Sequence, residues 1–356
     1  FGGCGGCALQ HWAEAPYLAW KTELLRAALV RAGFAAPNLL PIHRASPGTR
    51  RRMDLALLRD RGGVAVGLHP AHGGRPIDLA SCPMLDPALA ALIAPIRALL
   101  ARGAWLRREG SAIANLLDTG PDLLLRTDAA PGPAERIGLV AFARRHGLAR
   151  LSWAKGAGSA ETVAELRKPR LALGGVEVSP PPGAFLQATQ AGEAAIRAAV
   201  LNALPPDLSP RARIEELHAG LGTLSFALAA RARVRAWDAS EAAIGALRAG
   251  AARAGLAGRI ETTVRDLARR PLTPAELAGA AAVVLDPPHA GAAAQMGALA
   301  AAGPPSVIYV SCNPATLARD AAILRDGGYA LERAVPIDQF LFSSRLEAVA
   351  LFRRPR

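Results

Sequence analysis

The chain has 356 residues, 51% hydrophobic and only 4% aromatic, and carries net charge +13 from 42 basic and 29 acidic side chains. That length accommodates two or three domains with cores built from Ala, Leu and Val. No apolar stretch is long and clean enough to span a bilayer, no charged-then-apolar leader opens the chain, and four cysteines in so large a chain argue against a disulfide scaffold, so the membrane and secreted classes are set aside and a reducing, cytoplasmic setting is expected. The positive balance suits a polyanionic partner such as nucleic acid, because Lys and Arg that neutralise phosphates release counterions. Phe1 stands where Met would open a complete chain, so a missing amino-terminal end is expected.

A glycine-cysteine segment comes first, from Phe1 to His11. Cys4 and Cys7 offer two soft ligands on a tight turn and Cys82 a third, a set that suits an iron-sulfur cluster or zinc. A helical pattern follows over about residues 13–32 and ends at Gly33. Arg50 to Arg59 reads as a strand, Gly62-Gly63 as a turn, and Val64 to Leu68 as the returning strand of a hairpin. One helix is expected over roughly residues 87–102. Short strands then continue to about Val178, Asp122 to Arg126 among them. Residues 1–183 thus read as a compact α+β domain, closed by Ser179-Pro180-Pro181-Pro182-Gly183, which can continue neither a helix nor an inner strand.

Beyond that boundary strands and helices alternate. Ile214 to His218, Val234 to Asp238, Ile260 to Val264, Ala281 to Leu285 and Val307 to Val310 are five strand-like runs, which predicts βαβ units and a doubly wound, mostly parallel α/β sheet. Ala219-Gly220-Leu221-Gly222-Thr223 forms a glycine turn after the first run, where the backbone can approach a ligand closely. Asp238 ends the second run, placed to accept from ribose hydroxyls, and Asp266 follows the third, placed to face an adenine amino group. The full dinucleotide fingerprint is missing, and one glycine turn with successive strand-end acids fits S-adenosylmethionine better than NAD. Asp286-Pro287-Pro288 ends the fourth run; a helix cap is one role for that acid, and the register favours an active-site role. The fifth run stops at Ser311-Cys312-Asn313-Pro314, which puts a lone thiol at the carboxyl end of a strand, where open α/β sheets hold their ligands.

These residues resemble the RNA uracil-5-methyltransferases, S-adenosylmethionine-dependent enzymes that make 5-methyluridine. Ser311-Cys312-Asn313-Pro314 with Thr316 and Arg319-Asp320 resembles the family's nucleophile motif, Asp286-Pro287-Pro288 lies at the family spacing, Gln339-Phe340 and Glu347 to Leu351 resemble its carboxyl-terminal motif, and Phe185-Leu186-Gln187 its entry to the catalytic domain. The resemblance implies a Rossmann-like class I methyltransferase domain over residues 184–356, preceded by the smaller α+β iron-sulfur domain over 1–183, whose helix near 13–33 packs on the catalytic domain. It assigns Cys312 as the nucleophile that adds to uracil C6 and Glu347 as the base that removes the C5 proton. Gln187, His218, Gly220, Gly222, Thr223, Asp238, Asp266 and Asp286 become cofactor-binding candidates, Asp286 with the uracil edge as its other partner. Cys4, Cys7 and Cys82 resemble three ligands of the 4Fe-4S cluster of the ribosomal-RNA branch, with the fourth expected upstream of residue 1, and these residues are expected to lack the RNA-binding β-barrel that precedes this region in many members.

The target base must leave its stack to be reached, and Arg50, Arg51, Arg52, Arg144 and Arg145 are candidates to hold the RNA backbone. The expectation is a monomer acting on RNA, ribosomal RNA favoured, with no obligate protein partner. The same reaction on transfer RNA and a catalytically silent RNA-binding paralogue are the alternatives. The chain departs from the family pattern at His289, Thr189, Asp238, Arg345 and His218-Ala219, and the departures near Asp286 motivate the second of these.

Overall fold

The computed structural model describes residues 3–70 and 73–355, so Phe1 and Gly2 of the opening segment lie outside the described residues. Helix α1 (Glu14–Arg31) and the short strand β1 (His43–Arg44) lead into a seven-stranded sheet. Its strands are β2 (Arg52–Asp60), β3 (Gly63–Leu68), β4 (Ile77–Asp78), β5 (Glu109–Leu117), β6 (Gly120–Thr127), β7 (Arg150–Lys155) and β8 (Glu161–Glu165), in the order β4-β3-β2-β5-β6-β7-β8. The expected hairpin is present, with Asp60 opposite Gly63. Every neighbour pair is antiparallel except β6 and β7, which helix α4 (Pro133–Arg145) joins as a crossover.

The single helix expected over 87–102 is instead two, α2 (Pro87–Ala90) and α3 (Ile93–Arg102). Pro95 accounts for the break. It has no N–H to give to the Ala91 carbonyl, and its ring crowds that carbonyl, so one continuous helix cannot pass Ala91 and Leu92. Met53, Leu55 and Leu57 alternate along β2 into the core beneath α3, where Ile93, Ile96 and Leu100 are buried.

A two-stranded hairpin, β9 (Leu171–Leu173) and β10 (Val176–Val178), precedes the proline-rich stretch. The second sheet then forms from α5 (Gln190–Ala203), β11 (Arg213–Leu217), α6 (Ser225–Ala229), β12 (Arg233–Asp238), α7 (Glu241–Arg253), β13 (Ile260–Val264), α8 (Pro274–Leu277), β14 (Ala282–Leu285), α9 (Ala293–Ala302), β15 (Ser306–Ser311), α10 (Pro314–Asp326), β16 (Ala330–Asp338) and β17 (Glu347–Arg353). Its order is β1-β16-β17-β15-β14-β11-β12-β13. Strands β11 to β15 are parallel, as expected. Strand β17 runs antiparallel to both β15 and β16, so the sheet is mixed at that end.

Residues on β15 alternate between two cores. Ile308 and Val310 enter one with Ile214, Val234 and helix α5, whereas Val307 and Tyr309 enter the other with Leu217, Leu285 and helices α1, α9 and α10. Burial on both faces is why these strands read as unbroken apolar runs. The chain reverses direction across the sheet between β11 and β14, and the crevice at such a switch point is where open α/β sheets bind ligands. Helix α1 packs on α10 and β16, and β10 packs on α7, so segments from before residue 183 complete the layers of this sheet. Among the described residues no helix is long and apolar enough to cross a membrane.

Candidate active site

Strand β15 delivers Cys312 to the carboxyl edge, and the turn behind it is clamped. The Ser311 hydroxyl accepts from the Asn313 N–H at 3.1 Å, and the Asn313 side chain caps α10 by accepting from the Ala315 N–H at 3.0 Å, with Pro314 at the first helical position. Asp320, fully buried, accepts from the Tyr309 hydroxyl at 2.6 Å and from the Ala292 N–H at 2.7 Å, while Arg319 bonds Asp320 and the Ala290 carbonyl. Thr316 reaches the His289 carbonyl. The residues behind the cysteine therefore fasten α10 to the loop that follows Asp286. His289 contributes its carbonyl there, and its side chain is exposed.

The antiparallel register sets the thiol's neighbour. Ser311 pairs with Ala348, so the next position along each strand brings Cys312 beside Glu347. Glu347 is buried, and its Oε2 accepts from Gln339 Nε2 at 2.8 Å. The same amide donates to Gln187 Oε1 at 2.7 Å, and Gln187 Nε2 donates to Asp286 Oδ2 at 3.0 Å. Two glutamines thus join the two carboxyl groups in one chain of hydrogen bonds. Arg51 anchors it from outside: its Nε donates to the Gln187 carbonyl at 3.2 Å and its guanidinium pairs with buried Glu193. Arg51 was a candidate for holding RNA, and its burial excludes that; Arg144 and Arg145 lie exposed in the last turn of α4. Thr189, two residues after Gln187, caps α5 by accepting from the Gly192 N–H at 2.9 Å.

Burial raises the Cys312 thiol to about 11, helped by the charges of Glu347 and Asp286 and opposed by Arg345. Glu347 and Asp286 are themselves raised, Glu347 by burial and by Asp286, Asp286 by burial. Glu216, which the sequence reading passed over, is buried at the end of β11 and pushed up to about 8 by burial, with Asp286 and Asp238 adding to it. Among the described residues its Oε2 has no hydrogen-bond partner. Three carboxyl groups and a thiol packed this closely favour a bound cation.

The glycine turn lies beside this cluster. Gly220 has φ +54° and a Cβ there would meet open space, whereas Gly222 has φ +93° and a Cβ would meet Phe226 at 2.8 Å and Leu247 at 2.9 Å. His218 also sits at positive φ, +64°, with its ring held below its usual range by burial. Asp238 accepts from the Gly220 N–H at 2.9 Å and the Ser240 N–H at 2.8 Å, which ties the two strand ends together. Thr223 is half-buried in the turn. Asp266 accepts from the Ala268 and Arg269 N–H groups, a local capping role, and its charge still reaches His218.

Cys4, Cys7 and Cys82 are free and half-buried. The charges of Cys82 and Cys4 both raise Cys7, after burial, so the three thiols share one neighbourhood. Cys7 and Cys82 line a cavity of about 580 Å³ together with Arg50, Gln339, Phe340 and Arg345. Among the described residues no group of three His, Cys, Asp or Glu side chains is close enough to hold a single metal ion.

A family model described as tRNA (uracil-5-)-methyltransferase matches residues 264–355. An uncharacterized RNA methyltransferase of Brucella suis is 38% identical, with 100% of this chain and 83% of the relative covered. A 23S rRNA (uracil(1939)-C(5))-methyltransferase of Halomonas elongata is 34% identical, with 100% of this chain and 76% of the relative covered. The solved structure of a Pyrococcus abyssi tRNA (uracil-54, C5)-methyltransferase with S-adenosyl-L-homocysteine shares the fold at TM-score 0.74 and 21% identity, covering 98% of this chain and 86% of that one.

Proposed function

This chain belongs to the RNA uracil-5-methyltransferase family, and on that premise we propose that it methylates C5 of a uridine in 23S ribosomal RNA through transient addition of Cys312 to C6. The observation that carries this reading is the adjacency of Cys312 and Glu347 imposed by the β15/β17 register.

Uracil C5 is too weak a nucleophile to attack a methyl group directly. Cys312 loses its proton to water and its sulfur bonds to C6, while the C5–C6 π pair moves toward the O4 carbonyl and makes C5 enolate-like. S-adenosylmethionine supplies the methyl group to C5 and departs as S-adenosylhomocysteine. Glu347 then takes the C5 proton, the freed pair re-forms the C5–C6 double bond, and the Cys312 thiolate leaves. The raised affinity of Glu347 for a proton suits that last step.

The same chain residues fit the methyl donor. Gly220 leaves open space for it, Glu216 keeps Oε2 unpartnered among the described residues and feels the charges of Asp286 and Asp238, and three carboxyl groups favour a positive sulfonium. Gln187, His218, Gly222, Thr223, Asp238, Asp266 and Asp286 complete the proposed donor site, Asp238 for the ribose and Asp266 for the adenine.

Ribosomal RNA is favoured by the relative, matched over the whole of this chain, whose name specifies 23S rRNA; transfer RNA, named in the family model, is the second reading. Cys4, Cys7 and Cys82 are proposed as thiolate ligands of a 4Fe-4S cluster. Such a cluster takes one thiolate per iron, so its ligands need not converge on one ion, and four are required where three are seen. Anaerobic purification with an iron assay and a visible spectrum tests this; colourless, iron-free protein refutes it. Free thiols and an RNA substrate favour a cytoplasmic setting, and the chain is proposed to act as a monomer.

Incubation with S-adenosylmethionine and 23S RNA containing 5-fluorouridine tests the chemistry. Fluorine cannot leave as a proton, so the wild-type protein is trapped as a covalent RNA adduct and Cys312→Ser is not. Unchanged turnover by Cys312→Ser refutes the reading. Mapping 5-methyluridine in total RNA from a deletion strain identifies the RNA.

A further inference from the structure

We propose that Gln339 is a positioning residue that aims the Glu347 carboxylate at the C5 proton, and that Gly192 is small because Gln339 must pack against it; the inference rests on the role of Glu347 given above. The polarity of the hydrogen-bond chain is determined from both ends. With both carboxyls ionised, the state in which Glu347 can take a proton, each oxygen only accepts, so Gln187 turns its amide nitrogen to Asp286 and its oxygen to Gln339. Gln339 must then present nitrogen to both Gln187 Oε1 and Glu347 Oε2, at 2.7 Å and 2.8 Å, which uses both of its N–H bonds. Neither amide can flip without breaking a bond.

One carboxylate oxygen is consequently committed and the other is not. Among the described residues Glu347 Oε1 is buried without a partner, as is Gln339 Oε1. Buried polar atoms are rarely left unpaired, and an unpaired carboxylate oxygen beside the thiol is where a proton can be received. The Oε2 bond also stabilises the ionised, proton-accepting form against the burial and the Asp286 charge that oppose it. Gln339 is fixed in turn by α5: a Cβ on Gly192 would stand 2.8 Å from both Cβ and Oε1 of Gln339. A side chain at position 192 would push the amide off its two acceptors.

The reaction separates this role from a structural one. A misaimed base leaves thiol addition and methyl transfer intact and slows only proton removal and release. With ordinary uridine RNA, Gln339→Met is expected to complete a single round of methyl transfer at a rate within about threefold of wild type. It then accumulates a denaturation-resistant, methylated protein–RNA adduct, and steady-state turnover falls by about 10²-fold, within the range of a general-base contribution. Gly192→Ala is expected to give the same adduct, and thermal melting of both variants reports whether they fold. Folded Gln339→Met that turns over normally without adduct overturns the inference, as does an equal loss of methyl transfer and release. The Cys312→Ser control keeps the two ideas apart: if it turns over, the covalent reading has failed; if it is inactive while Gln339→Met is normal, only the role of Gln339 has.

Discussion

Lys21 is the most exacting energetic test of how the amino-terminal helix serves the site. The residue lies in α1 with 0% exposure, and its ammonium bonds Asp338 Oδ1 at 2.9 Å, the Phe340 carbonyl at 3.3 Å and the Arg345 carbonyl. All three of its donors are used. Tyr17 donates to the other Asp338 oxygen at 2.6 Å and accepts from the Phe342 N–H at 2.8 Å. Together they pin the loop between β16 and β17, which holds Gln339 and leads into Glu347 and contains Phe342 at φ +57°. Lys21→Met keeps the packing volume and removes the charge, leaving the Asp338 carboxylate buried with Tyr17 as its remaining side-chain donor. Breaking one side of a buried ion pair costs about 3–5 kcal/mol, a large share of a total stability of about 5–15 kcal/mol. At roughly 2–4 °C per kcal/mol the melting temperature falls by roughly 6–20 °C. Lys21→Met with Asp338→Asn removes the stranded charge and should recover at least ~1 kcal/mol relative to Lys21→Met alone. Urea unfolding followed by circular dichroism measures all three proteins. A loss under ~1 kcal/mol for Lys21→Met, or no recovery in the double variant, refutes the argument that an uncompensated buried charge sets the cost.

Three further outcomes follow from the same geometry. Glu216 has its folded pKa raised from 4.5 to about 8, so its contribution is fully present below pH ~4.5 and is lost as pH rises through ~8; thermal melts should show stability of the free protein falling over that window, with a flatter slope in Glu216→Gln, and identical slopes would count against a buried neutral acid. Because the Cys312 thiol lies near 11, the rate of adduct formation with 5-fluorouridine RNA should rise about tenfold per pH unit between pH 7 and 9 at saturating methyl donor, as the thiolate fraction does; a flat rapid-quench profile would mean that thiolate formation does not limit the step. Gly222→Ala combines φ +93° with a 2.8 Å clash against Phe226 and should destabilise by about 1–3 kcal/mol; urea unfolding indistinguishable from wild type would show that the turn relaxes freely.

The parallel core and the position of Cys312 at the carboxyl end of a strand were legible in local sequence. Runs such as Val307 to Val310, buried on both faces, announce inner strands by themselves, and Asn-Pro after Cys312 marks where the strand stops. Glu216 escaped notice because two adjacent glutamates inside a strand give no local sign of what each side chain meets, although Glu215 accepts from the Trp237 indole at 2.7 Å and Glu216 is buried in the acidic cluster. Arg51 looked like a surface cation, since nothing near it in the chain reveals Glu193. Strands β16 and β17 were not anticipated as strands, Pro336 interrupting the pattern of the first.

What the amino-acid order determined was each segment's periodicity, its stops and the chemistry it carries, because hydrophobic spacing, glycine and proline act over a few residues. Only the tertiary structure decided which polar groups meet. Gln187 and Gln339 lie 152 residues apart, and Tyr17 and Asp338 lie 321 apart. A hydrogen bond depends on distance and angle in space, which the antiparallel pairing of β15 with β17 and the docking of α1 supply and no local pattern encodes.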